Sequence, residues 1–208
     1  MRETEKKQLF VVGNGPISRD MTADVDGADF VVRFNEPKQS IGMSGTKTDW
    51  LFIANAGKPM QRRLEDPNYF ASPIVASARR VFLVYHPDII KAYHPKPNIL
   101  SRMKGRRGNW TEAAILMYGR AGKEVTVLPP TFYEDGCKAL GLSTVQMKSV
   151  FPSTGYFGIR YLLGEFRLSE WMINMCGFSW EGWKRHPWMD ERRWIERLVE
   201  KQHIKVWL

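Results

Sequence analysis

His186 and Glu191 close the two ends of the hexapeptide HPWMDE. An imidazole is the side chain best suited to take a proton from a hydroxyl near neutral pH, and a carboxylate beside it can orient or raise it. His86, His94 and His203 have no comparable neighbours. Three other stretches offer groups for an anionic ligand. In VVGNGP, residues 11–16, Gly13, Asn14 and Gly15 follow an apolar run. A glycine-rich turn lets backbone amides approach a phosphate, with a helix N-terminus expected behind it. In FPSTGYFG, residues 151–158, Ser153 is placed to cap a helix while Thr154 and Gly155 leave backbone donors free, which makes a second anion cradle. Asn35 ends DVDGADFVVRFN, and a neutral amide there can bond phosphate oxygen and sugar hydroxyl without adding repulsive charge. Asp24 and Asp26 imitate a DxD metal pair but precede their strand, so they read as loop caps and no metal site is expected.

These residues need elements to hold them. Apolar runs at 8–12, 30–34, 49–53, 81–85 and 125–128 have the length of buried parallel strands, the first ending at Gly13 and the last at Pro129-Pro130. Residues 172–175 form another candidate strand leading to Gly177, and 204–208 close the sheet. Helical spacing marks 111–120, with Thr111 as its cap, then 153–166, and 190–201 with Trp194, Ile195, Leu198 and Val199 on one face. Alternating strands and helices predict an α/β fold: a single Rossmann-like domain over 1–208 with a mostly parallel central sheet covered by helices on both faces.

The 208 residues, 43% hydrophobic and 25% charged, suit one folded domain with a sizeable core. No apolar run reaches the ~20 residues of a bilayer span, and the start, MRETEKKQLF, lacks the apolar centre of a signal peptide. The expectation is a cytoplasmic protein, peripheral at an inner membrane. Two cysteines, Cys137 and Cys176, without metal-ligand spacing are expected to be free thiols. The net charge is +9, and residues 91–107 carry Lys91, Lys96, Arg102, Lys104, Arg106 and Arg107 with no acid among them. This basic loop suits a solvated surface, or one facing anionic lipid, acidic glycan or a nucleotide phosphate. No nucleic-acid motif accompanies it. Read alone, Gly13 and Gly15 with Glu36 after the second strand also fit a dinucleotide site, Ser18 standing where the third glycine would be. An NAD(P)-dependent oxidoreductase is therefore one alternative, and a catalytically inert nucleotide-binding module another.

In combination the motifs carry a resemblance. VVGNGP, DVDGADFVVRFNEP and GTKTDWLF resemble the long donor-binding motif of the eukaryotic-type sialyltransferases, glycosyltransferase family 29. PSTGYFG and MCGF are similar to their short motif, and His186 and Glu191, four residues between them, to their last one. The Asn-Gly-Pro turn is also similar to a second, bacterial sialyltransferase family. The resemblance implies a short, bacterial-like member with a GT-A-like variant of the fold and an inverting transfer from a CMP-sugar, sialic acid or the related Kdo, to a hydroxyl of a glycan or glycolipid acceptor. It implies that Asn14 and Asn35 hold the nucleotide and phosphate, that Gly13, Gly15 and Gly177 belong to the donor-binding motifs, and that Ser153, Thr154 and Gly155 hold phosphate and sugar carboxylate. His186 would be the catalytic base, with Glu191 supporting it. No cofactor and no essential metal are implied. Leu9 and Phe166 stand where the family has a disulfide, so packing must replace that bond, and the family's separate aromatic motif has no clear counterpart.

Overall fold

The computed structural model describes residues 5–36, 42–103 and 105–207. Its strands are β1 (Lys7–Val12), β2 (Phe30–Phe34), β3 (Trp50–Ile53), β4 (Arg80–Leu83), β5 (Glu124–Val127), β6 (Trp171–Cys176) and β7 (Ile204–Val206). Its helices are α1 (Thr22–Asp26), α2 (Gly57–Glu65), α3 (Pro67–Ala71), α4 (Pro73–Ser77), α5 (Pro87–Tyr93), α6 (Ile99–Met103), α7 (Thr111–Arg120), α8 (Pro130–Ala139), α9 (Thr154–Glu165) and α10 (Trp188–Glu200). The sheet is entirely parallel, in the order β5-β4-β3-β2-β1-β6-β7. The chain builds outward from β1 to β5, then returns to lay β6 and β7 on the other side of β1. That reversal opens a crevice beyond the carboxyl ends of β1 and β6, where ligands of open α/β sheets bind.

Strand alternation sends side chains to two cores. Leu9, Val11, Phe34 and Phe52 pack with Tyr133 of α8, Phe157 and Leu162 of α9 and Ile195 of α10. On the opposite face Leu51, Ile53 and Val81 meet Met60 of α2 and Tyr118 of α7, while Phe10 and Val12 meet Met21 and Val25. Helices thus cover both faces, as strands buried on two sides require. Leu9 and Phe166 lie in one apolar cluster, with Phe166 against the rings of Phe30, Trp50 and Trp171. Packing thus joins the two positions at which the resemblance had implied a disulfide, and both cysteines are buried free thiols.

Several boundaries differ from the expected ones for identifiable reasons. Strand β4 stops before Tyr85, whose N–H and carbonyl are both taken by the Asn55 side chain. Thr111 does not cap α7: it is the first helical residue, its hydroxyl bonded to Asn109 and Asn55. Helix α10 begins at Trp188, which leaves His186 in the preceding turn, and Val199 is 38% exposed rather than part of the buried face. The basic loop is not all loop, since it contains α6; the closing strand ends at Val206, and Lys104 and Leu208, which the expected loop and strand included, lie outside the described residues.

Candidate functional site

The crevice beyond β1 and β6 is a cavity of about 500 Å³, and all ten residues singled out from the sequence line it: Gly13, Asn14, Gly15, Asn35, Ser153, Thr154, Gly155, Gly177, His186 and Glu191. Five chain segments supply them, each arriving at the carboxyl end of a strand or at a helix N-terminus.

The glycine turn does something other than expected. The Gly13 and Gly15 amides donate to the carbonyls of Cys176 and Gly177 at 2.8 and 2.7 Å, so neither is free for a phosphate. A Cβ at Gly13 would run into the Gly177 carbonyl and the Phe178 ring. These glycines let the loops after β1 and β6 lie backbone to backbone. The expected helix behind the turn is also absent, because the chain reaches only a five-residue helix starting at Thr22. Glu36 pairs with Arg62 and Arg63 instead of standing open to a ribose. Without an anion-binding βα turn or a free acid, the dinucleotide reading loses both of its physical supports.

Helix α9 retains its cradle. Ser153 is its N-cap, with Oγ accepting from the Tyr156 N–H at 3.1 Å. The first-turn amides of Thr154 and Gly155 have no partner within the helix. Among the described residues that line the cavity there is no lysine or arginine, so these amides and the helix dipole are the main attraction they offer an anion. Asn14 donates Nδ2 to the Phe34 carbonyl at 2.9 Å while its Oδ1 is buried without a partner. Asn35 has φ 51°, a conformation asparagine tolerates, and accepts the Ala54 N–H on Oδ1 at 2.8 Å.

His186 is held by Phe151. Its Nδ1 lies 2.5 Å from the Phe151 carbonyl oxygen. A carbonyl only accepts, so Nδ1 carries the hydrogen and Nε2 of the neutral ring keeps a lone pair. Trp183 and Trp188 set their rings nearly perpendicular to the imidazole, at 5.0 and 4.7 Å. Burial pushes the imidazole pKa below its usual range, partly countered by the bond to Phe151. The ring is thus biased towards its neutral, proton-accepting form.

Glu191 departs from the expected arrangement, since the hydrogen bonds of its carboxylate go to Ser153 and not to the imidazole. Oε1 accepts the Ser153 N–H at 2.7 Å and Oε2 accepts the Ser153 hydroxyl at 2.6 Å. Burial raises its pKa to about 7 against the lowering effect of those two bonds, with the nearby Asp190 raising it further. Residues 151–153 therefore carry both anchors: Phe151 fixes the base, and Ser153 ties α10 to the cradle. Asp26 does cap a loop, accepting the Thr46 and Lys47 amides at 2.9 Å, and Asp24 pairs with Arg19.

Sequence reasoning passed over Trp188, Phe178 and Trp180, which also line the cavity. The Trp188 indole Nε1 is, like Asn14 Oδ1, buried without a hydrogen-bond partner. A donor and an acceptor left unpaired on residues of one cavity each cost about 1–3 kcal/mol until something bonds them, which makes them candidate ligand contacts. The signal for Trp188 was its position inside HPWMDE, an aromatic with a polar tip between the two residues already chosen.

Fold and site together define an α/β protein with a ligand cavity at the switch point of a parallel sheet. More particularly, it has the fold of the mammalian sialyltransferases. A mammalian sialyltransferase solved with Gal-beta-1-3GalNAc-ortho-nitrophenol superimposes with a TM-score of 0.57 at 16% identity, covering 99% of this chain and 70% of that one. A second mammalian sialyltransferase structure gives a TM-score of 0.58 at 15% identity with the same coverage. Among curated proteins, the urease operon 23 kDa accessory protein of Rhizobium meliloti (strain 1021) is 24% identical over 215 residues, 95% of this chain and 91% of its own length. No family model matches.

Proposed function

We propose that this protein is an inverting glycosyltransferase of the sialyltransferase type, moving sialic acid or Kdo from a CMP-sugar to a hydroxyl of a glycan or glycolipid. The observation that carries the reading is the tautomer of His186, fixed by Phe151 so that Nε2 is the free base in the same cavity as the α9 cradle. In the proposed step an acceptor oxygen bonds to the anomeric carbon while the bond from that carbon to the CMP phosphate oxygen breaks. The acceptor proton passes to His186 Nε2 and the electron pair leaves with the phosphate. The Thr154 and Gly155 amides and the N-terminus of α9 are aimed at the charge that develops there; one such preorganised donor typically contributes ~3 kcal/mol. Asn14 Oδ1 and Trp188 Nε1 supply an acceptor and a donor for the nucleotide side of the ligand. The step draws on no metal, because the leaving group is a monophosphate held by amides.

The full-length likeness to the urease operon accessory protein favours a second reading, a catalytically inert accessory module. One experiment separates the two: the protein is incubated with CMP-sialic acid and CMP-Kdo against a glycan panel, with products read by mass spectrometry. Glycan products dependent on His186 support the transferase. Binding of CMP with neither transfer nor donor hydrolysis would leave the inert module.

A further inference from the structure

A second groove, of about 690 Å³, lies between α5, α6 and the segment leading to α7. Lys91, Lys96, Arg102, Arg106 and Arg107 line it, and among the described residues none of the five has an ionic partner. Its one carboxylate, Asp88, sits 3.3 Å from His86. Beside this groove α6 exposes Ile99, Leu100 and Met103 at 77%, 71% and 81%. Positions i, i+1 and i+4 fall on one side of a helical turn, so three large apolar side chains project as a single cluster. Charge alone would suit a solvated loop, and an apolar cluster alone would name no partner. The two together on one short segment are the chemistry of an interfacial anchor, with apolar side chains entering the acyl boundary and cations meeting anionic headgroups.

We infer that α5, α6 and the following Arg106 and Arg107 form a docking surface for an anionic lipid bilayer, with Ile99, Leu100 and Met103 inserting and Arg102, Arg106 and Arg107 contacting headgroup phosphates. No helix among the described residues is long and apolar enough to cross a membrane, and this surface needs none. It also lies close to the cavity. His94, which lines the groove, packs on the Trp183 ring at 5.9 Å, and Trp183 packs on His186. Docking therefore brings the His186 wall of the cavity within two aromatic contacts of the lipid-facing groove. The inference stands whether or not the cavity performs transfer.

The test is co-sedimentation of the full chain with vesicles of phosphatidylcholine alone and of phosphatidylcholine with equimolar phosphatidylglycerol. Binding is expected only to the anionic vesicles, and most of it is lost at 1 M salt, where screening falls to roughly 3 Å. Arg102→Gln/Arg106→Gln/Arg107→Gln weakens the partition constant on the order of a hundredfold. Ile99→Ser/Leu100→Ser/Met103→Ser weakens it by about tenfold or more. All six side chains are exposed, so the melting temperature stays at the wild-type value in both variants. Absence of sedimentation, equal binding to both vesicle types, or an Ile99/Leu100/Met103 variant that binds like wild type overturns the inference. A wild-type dimer in solution that the same triple variant dissolves, with no vesicle binding, assigns the cluster to a second copy of the chain and overturns it equally.

Discussion

Replacing Ser153 with alanine removes two hydrogen bonds at the junction of α9 and α10: the cap on the Tyr156 N–H and the donation to Glu191 Oε2. The Ser153 N–H to Oε1 survives, since it belongs to the backbone. Losing a serine N-cap costs about 1 kcal/mol. Losing a hydrogen bond to an ionised carboxylate costs ~1.5–3 kcal/mol, but about 1 kcal/mol when the carboxyl is protonated. The penalty therefore depends on pH, because the Glu191 pKa is held at about 7. Near pH 8 the sum is roughly 2.5–4 kcal/mol, a melting-temperature loss of about 5–15 °C for a chain of this size. Near pH 5.5 it is roughly 2 kcal/mol, or about 4–8 °C. Glu191→Gln supplies the control. A carboxyl whose folded pKa is raised from 4.5 to about 7 contributes stability below its unfolded pKa and loses it as pH climbs through the folded value. The glutamine variant lacks this decline, so its melting temperature is flatter than wild type between those two values. Melting by circular dichroism over a pH series, with both single variants and the double, decides the matter. Equal losses from Ser153→Ala at both ends of the series, or strict additivity in the double variant, would refute a coupled Ser153–Glu191 clasp.

His186→Ala is expected to lower kcat for transfer by ~10²–10⁴-fold while CMP affinity, measured by calorimetry, stays within about twofold. Because burial depresses the His186 pKa, the acidic limb of wild-type activity is expected at lower pH than an ordinary imidazole would give, and that limb is absent from the alanine variant. Trp188→Phe keeps the ring but deletes the orphaned N–H, and should weaken CMP or donor binding about 3–10-fold with little change in melting; unchanged affinity would mean that Nε1 does not meet the ligand. Dithiothreitol should leave melting temperature and turnover unaltered, because both cysteines are free and burial raises their thiol pKa values to about 12 for Cys137 and about 11 for Cys176.

What the sequence disclosed was governed by range. Strand positions followed from apolar runs such as FVVRF, residues 30–34, whose burial is local in origin, and the structure keeps those bounds. The Ser153 cap was equally legible, because a cap is a contact within four residues. The partners of Glu191 and of the glycine-turn amides were not legible. Those bonds join residues far apart in the chain, and no spacing rule encodes them. Helices α3 and α4 were missed although Asp66-Pro67 and Ser72-Pro73 each place a capping side chain before a proline at the first helical position. Each is a single turn, too short for periodicity to register. Trp188 Nε1 was invisible for another reason: an unpaired group is defined by what fails to approach it.

The register Lys7↔Trp171 through Val12↔Cys176 joins the first strand to one made almost a whole chain later, and the Gly13–Gly177 contact is the seam of that joint. Strands β1 to β5 each pair with a sequence neighbour and can zip up one after another as the chain emerges. The cavity cannot form on that schedule, because half its wall arrives with β6 and α10. Long-range parallel pairing is slow, since the loop entropy is lost before the contact rewards it. On the proposed function, affinity for nucleotide is expected to switch on only at the end of folding, and a fluorescent CMP added during refolding should then act as a clock for the closing of β6 onto β1.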